Sequence, residues 1–241
     1  MKTSNKLLLG FVGVLFAGML TCNFILKAEY ERIKTEKIAT DEFRTLSKNP
    51  FKYIRVDGRN AAIESRVSIE FATNYEISSL QEIEKFAKIR FNGDTLLVNF
   101  EKIPDSVEVD GGKLFIKCPS LQLVDLQGMD GYVSGFKLTN LAVILKGSGE
   151  FRIFSSQIDN LTIEESDNSS CDLNSDLHSQ IEDNNVTQSY INHLKLTLKD
   201  KSSFNADDIP FKTIDPIVGD SANISLSGAS LRPLLKRNVQ Q

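Results

Sequence analysis

A twenty-residue spacing recurs among the apolar residues of this chain, and it constrains the fold more than any other feature. Leu121, Leu141 and Leu161 are twenty apart, as are Leu123, Val143 and Ile163. Val133, Ile153 and Leu173 repeat the interval, and so do Cys118, Leu138 and Ile158. After an offset it returns in Leu194 and Ile214, Phe204 and Ile224, Ala206 and Leu226, and Phe211 and Leu231. A unit of twenty residues holding three short strands cannot bury its own apolar side. Stacked coils can, because each strand pairs with its equivalent in the next coil at ~4.8 Å and like side chains form inward ladders. The spacing predicts an all-β chain folded as a single-stranded parallel β-helix, a solenoid of about 20 residues per coil.

Local patterns agree with strands. From residue 51 the stretches "FKYIRVDG", "RVSIEF", "AKIRF", "DTLLVNF" and "KLFIKC" alternate apolar and polar residues between Gly, Asn and Asp. One short helix is expected at "SSLQEIEKF", residues 78–86, with Ser78 or Ser79 as cap and Glu82 in its first turn. In "LAVILKGSGEFRIF", residues 141–154, a strand stops at Gly147, Ser148 and Gly149 and then resumes. Such a break suits a sharp corner, where glycine supplies positive φ and serine bonds nearby backbone. Equivalent corners fall at Gly128 with Gly131, at Asp167, Asn168 and Ser169, and at Ser227 with Gly228.

The first fifty residues are different in kind. Residues 1–6 carry Lys2 and Lys6, and residues 7–26 contain no charge. As a helix rising ~1.5 Å per residue, that run matches the ~30 Å hydrocarbon core of a bilayer. It predicts one N-terminal transmembrane helix, a signal anchor whose lysine-bearing flank stays in the cytoplasm. Two alternatives are a lipoprotein processed at Cys22, from the "MLTC" sequence, and a cleaved leader. Thr21 fits a lipobox poorly, and the apolar run continues past Cys22 to Leu26. Residues 27–50, rich in Glu and Lys, read as a charged juxtamembrane stalk, helical or unstructured, before the β domain at 51–241. The expected location is therefore the cytoplasmic membrane, single-pass, with the C-terminal domain outside the cytoplasm.

The segments "FKYIRVDG", "SRVSIEF", "IRFNGDTLLVNF", "LVDLQGMDGYV", "LAVILKGSGEF" and "ISLSG" together resemble the putative auto-transporter adhesin head GIN domain family. The resemblance spans about residues 51–228; residues 147–149 match its Gly-Ser-Gly corner in full, whereas "EESDNSSC" departs from it. It implies an adhesin-like β-solenoid at the bacterial cell envelope.

Candidate binding residues lie where the period breaks. Leu161 and Leu194 are 33 apart, and matching "SQIDNL" with "SYINHL" places the extra thirteen residues near positions 174–187. Insertions in repeat folds emerge as loops on one face, which often does the binding. Between Phe154 and Leu194 there is no Lys or Arg, while Asp159, Glu164, Glu165, Asp167, Asp172, Asp176, Glu182 and Asp183 are present. Asp172, Asp176, His178, Glu182 and Asp183 are the candidate binding residues, although a solvated acidic face is the simpler account of the run. Acids could hold Ca²⁺, but neither an EF-hand loop nor a glycine-rich calcium repeat occurs, so no metal site is assigned. His178 and His193 are the only histidines; His193 occupies the corner position that Asn160 takes in an earlier coil. Cys118 and Cys171 fall in different apolar ladders and are expected to be buried free thiols.

A net charge of -4 gives no basic footprint for nucleic acid. Outward positions aligned at twenty show mixed Asp, Lys, Thr and Ser without a repeated catalytic pair, so the chain is expected to be no enzyme and to need no cofactor. Two functions remain: a non-catalytic module binding a glycan or protein ligand, and a structural or sensory envelope scaffold acting through a membrane partner. A carbohydrate-active β-helix enzyme is the third and weakest alternative.

Overall fold

Alternating apolar residues make strands that are sticky on one face, and here they assemble into two large sheets around one core. The computed structural model describes residues 18–28, 30, 43–60, 66–80, 84–102, 113–174 and 189–237. The nine-stranded sheet runs in spatial order β1 (Phe43–Ser47), β4 (Glu76–Leu80), β7 (Lys113–Cys118), β3 (Arg66–Phe71), β9 (Asp130–Ser134), β11 (Gly149–Phe154), β13 (Ser169–Asn174), β15 (Ser203–Asp207) and β17 (Asn223–Ser227). The eight-stranded sheet runs β16 (Phe211–Val218), β14 (Tyr190–Leu198), β12 (Gln157–Glu165), β10 (Lys137–Lys146), β8 (Leu123–Gln127), β2 (Tyr53–Asp57), β6 (Thr95–Phe100) and β5 (Ala87–Asn92).

From β8 onward the chain alternates strictly between the sheets, and from β10 onward each strand pairs in parallel with the strand two places earlier. The registers carry the repeat. Leu141 lies opposite Leu161, Ile153 opposite Val133 and Leu173, and Phe204 opposite Ile224. Leu161 meets Leu194 across β12 and β14, so the ladder passes over the thirteen extra residues without a slip. Ile54, Val67, Val124, Val143, Ile163, Leu173 and Leu196 are fully buried members of one contiguous apolar cluster.

Several expectations need correction. The repeating unit holds two strands, one in each sheet, and not three. The third segment is fused into the long strands β10, β12 and β14, where Leu138 and Ile158 precede a change of side-chain parity before Leu141 and Leu161. Asn140, Asn160, His193 and Thr213 line up at that change. Asn160 Nδ2 donates to Asn140 Oδ1 at 3.1 Å and to the Thr139 carbonyl at 3.2 Å, while His193 Nδ1 bonds Thr213 Oγ1 at 2.8 Å. A side-chain ladder thus carries the bend without breaking the strand.

Between β8 and β10 the spacing is nineteen: Val124, not Leu123, lies opposite Val143. Cys118 lies opposite Phe71 in the nine-stranded sheet, away from Leu138 and Ile158. Leu231 falls in a 3₁₀ turn, Gly228–Leu231, and is not the ladder partner of Phe211. Ser78 and Ser79 belong to strand β4 rather than to a helix cap.

The N-terminal end is not wound in sequence order. β2 sits between β6 and β8, and β3 between β7 and β9, so the earlier strand pair is inserted between later ones. A tight hairpin makes this possible: β5 and β6 are antiparallel across Gly93 and Asp94, with Gly93 at φ +56°. β1 and β4 close the neighbouring edge as antiparallel strands. β1 lies in the stretch expected as stalk, and the compact unit begins at Phe43.

Residues 18–28 form a helix, covering the last part of the uncharged run. Among the described residues no helix is long and apolar enough to cross a membrane.

Candidate binding surface

The outward face of the nine-stranded sheet presents straight rows of side chains, because parallel strands in register stack equivalent positions ~4.8 Å apart. The middle row is Ser68, Tyr132, Arg152, Asp172, Asn205 and Ser225. On one side run Glu70, Ser134 and Phe154, then Asn174, Asp207 and Ser227. On the other, Arg66 lies opposite Asp130, and Glu150, Ser170, Ser203 and Asn223 continue the line.

Two shallow depressions open here and share Arg152 and Phe154 as a common wall. The first, of about 210 Å³, is lined by Arg66, Asp130, Gly131, Tyr132, Glu150, Arg152 and Phe154. The second, of about 180 Å³, adds Ile153, Asp172 and Asn174. The Tyr132 and Phe154 rings lie 5.3 Å apart at 41°.

Polar contacts fix this surface. Tyr132 OH donates to Glu70 Oε1 at 2.9 Å, and Arg152 Nε donates to Glu150 Oε1 at 2.6 Å. The Glu150 backbone N–H donates to Asp130 Oδ1 at 2.8 Å, pinning the acid of one strand to the next. Burial raises the Asp172 carboxyl above its ordinary range, reinforced by a hydrogen bond to Glu150 and by its charge. Burial also acts upward on Glu150, but the Arg152 guanidinium and the hydrogen bond with Asp172 outweigh it and leave that acid lowered. Of the two acids, Asp172 holds a proton the more readily. The groove offers a fixed cation, two acidic side chains, an amide and two aromatic rings.

Of the binding residues expected from the sequence, Asp172 is in this groove. Asp176, His178, Glu182 and Asp183 lie outside the described residues, as does most of the insertion. Among the described residues no cluster of His, Cys, Asp and Glu could hold a metal ion. The sequence did not single out Tyr132, Arg152, Phe154 or Glu150. They occupy outward positions of matched coils, so aligning those positions for aromatics next to charges would have found them.

The corners divide into two kinds. Gly128, Gly147 and Gly228 have positive φ, at +65°, +74° and +55°, and Ser148 lies in the bend. Asp167 and Asn168 take the same left-handed conformation about twenty residues on, at +58° and +71°. Gly131 and Gly149 are not corners but strand residues. A Cβ on Gly149 would stand 2.4 Å from the Met129 carbonyl oxygen, and one on Gly131 would stand 2.8 Å from Leu126 Cδ1. These glycines are there for close approach, not for φ.

Glu165 also departs from the acidic-face expectation. It ends β12 between Leu145 and Leu198, is 2% exposed, and neither carboxylate oxygen has a partner. Burial, with the nearby charge of Asp172 added, pushes its pKa up to about 8. Its parity with Leu161 and Ile163 places it inward, a signal the sequence contains.

No family model matches the chain, and no curated protein matches it. Solved structures do. One, a "putative adhesin" from Bacteroides fragilis NCTC 9343, aligns with a TM-score of 0.50 at 14% identity, over 78% of this chain and 93% of that one. Another, a "putative adhesin" from Parabacteroides distasonis ATCC 8503, aligns with a TM-score of 0.53 at 12% identity, over 77% of this chain and 74% of that one. At such identities the likeness is one of fold. The chain shares an all-β fold of large sheets with these two proteins.

Proposed function

We propose that the protein is a non-catalytic binding or adhesion module of the bacterial cell envelope, built as a β-solenoid and carried by a membrane anchor. The observation that carries this is the outward face of the nine-stranded sheet. Its rows of Tyr132, Arg152, Asp172 and Asn205 are held rigidly in register and open into two shared depressions. Both are smaller than the ~300–1,000 Å³ typical of enclosed small-molecule sites, which favours surface contact with an extended ligand. The groove acids are engaged with one another and with Arg152, an arrangement suited to holding a surface rather than to moving protons. The repeated registers and recurring corners support the solenoid, and the motifs around residues 147–149 support kinship with the head GIN domain family. The uncharged residues 7–26 after Lys2 and Lys6 support a single-pass anchor with the β domain outside the cytoplasm.

Two experiments test this. An enzyme reporter active only outside the cytoplasm, fused after Gln241, should be active, and the protein should stay with membranes after an alkaline wash. Lipid-coated beads carrying the full-length chain should adhere to bacterial sacculi, intact bacteria or an epithelial layer, and adhesion should drop with Phe154→Ala. Beads that adhere to none of these surfaces would refute the binding role.

A further inference from the structure

We propose that the groove over β9, β11, β13 and β15 binds a linear neutral or amino-substituted glycan laid across the strands, with one sugar ring stacked on Phe154. This rests on the binding role proposed above and names its ligand. The middle row places Tyr132, Arg152, Asp172 and Asn205 at successive strand positions, ~4.8 Å apart. That interval is close to the rise of one sugar in an extended chain, so successive rings meet successive side chains. A pyranose has a C–H face that packs on an aromatic ring and an equatorial rim of hydroxyls that both donate and accept. Phe154, tilted against Tyr132 at the wall common to both depressions, offers the ring. Arg152, Asp172 and Asn205 offer planar polar groups suited to neighbouring hydroxyls, with donors and acceptors side by side. Arg152 is already braced by Glu150, so less ordering is needed on binding.

Other extended ligands fit less well. A peptide strand pairs through its backbone with a sheet edge, whereas this groove lies on a sheet face. A polyanion would meet Asp130, Glu150, Asp172 and Asp207 in the same rows. An amino sugar would find those same acids favourable.

Full-length protein in detergent micelles, titrated calorimetrically with cellohexaose, xylohexaose, laminarihexaose and the glucosamine hexamer, tests the proposal. At least one hexamer should bind, about tenfold more tightly than its own dimer, because the dimer spans only part of the row. Phe154→Ala and Asn205→Ala should each weaken that hexamer by about tenfold with unchanged melting temperature, while Lys195→Ala on the other sheet should not. Two variants are used so that a folding defect in one does not mask the result. If no hexamer binds while coated beads still adhere, the glycan assignment falls and the binding role stands. If neither occurs, both fall. Binding indifferent to both Phe154→Ala and Asn205→Ala overturns the site.

Discussion

Replacing Glu165 by leucine should stabilise the protein and remove a pH dependence that the wild type carries. Glu165 occupies an inward ladder position whose neighbours in β10 and β14 are Leu145 and Leu198, so leucine continues an existing row. The carboxyl is 2% exposed and its two oxygens have no partner, so it is tolerated only as the neutral acid. The folded pKa is raised from 4.5 to about 8, by burial first and the charge of Asp172 second. In the unfolded chain the group loses its proton near 4.5, so between 4.5 and about 8 the folded state holds one more proton than the unfolded state. Stability contributed by this linkage is complete below 4.5, declines as pH rises through that window and levels off above 8. At ~1.4 kcal/mol per pH unit the full decline is at most about 5 kcal/mol, and relaxation around the carboxylate will reduce it. Urea unfolding at pH 5 and pH 8.5 measures it. Wild type should lose several kcal/mol between these values, whereas Glu165→Leu and Glu165→Gln should lose much less. At pH 5, Glu165→Leu should already exceed wild type by about 1–3 kcal/mol, because an unsatisfied buried hydroxyl has been replaced by methyl groups. A wild type whose stability tracks that of Glu165→Gln across this range would refute the argument.

Gly149→Ala should cost about 3 kcal/mol, because its Cβ meets the backbone of Met129, whereas Gly147→Ala should cost about 1–2 kcal/mol for a strained φ; the reverse order in thermal unfolding would contradict the packing account. Cys118 and Cys171 lie in one sheet four strands apart, ~19 Å at ~4.8 Å per strand, far beyond bridging distance. With the Cys118 thiol pushed up to about 12 by burial, and Cys171 raised well above its ordinary value by burial and nearby acids, neither should be alkylated in the folded protein, and both should react in denaturant without reductant. A linked Cys118–Cys171 peptide in a mass spectrum would count against this. Removing residues 175–187 restores the twenty-residue spacing between Leu161 and Leu194, and should leave the melting temperature nearly unchanged, since the flanking ladder is already continuous. A large loss would mean that the segment is part of the core.

Periodicity is a local property, and the sequence by itself determined what depends on it. Twenty-residue spacing together with inward parity was enough to pair Leu141 with Leu161 and Phe204 with Ile224, and to place the extra thirteen residues between β13 and β14. Buried ladders tolerate no slip of one residue, because a slip turns every side chain to the other face. The same parity rule marked Glu165 as inward, but its acidic neighbours hid it. The insertion of β2 and β3 between later strands was not legible, because strand order depends on which edges remain open after the Gly93 hairpin forms. Nor could spacing say that Gly149 serves a close approach to Met129 while Gly147 serves a positive φ, since that depends on backbone distances between coils. The groove was decided by tertiary structure too. Tyr132, Arg152, Asp172 and Phe154 come from three strands, β9, β11 and β13, and only parallel pairing in register sets their side chains in adjacent rows.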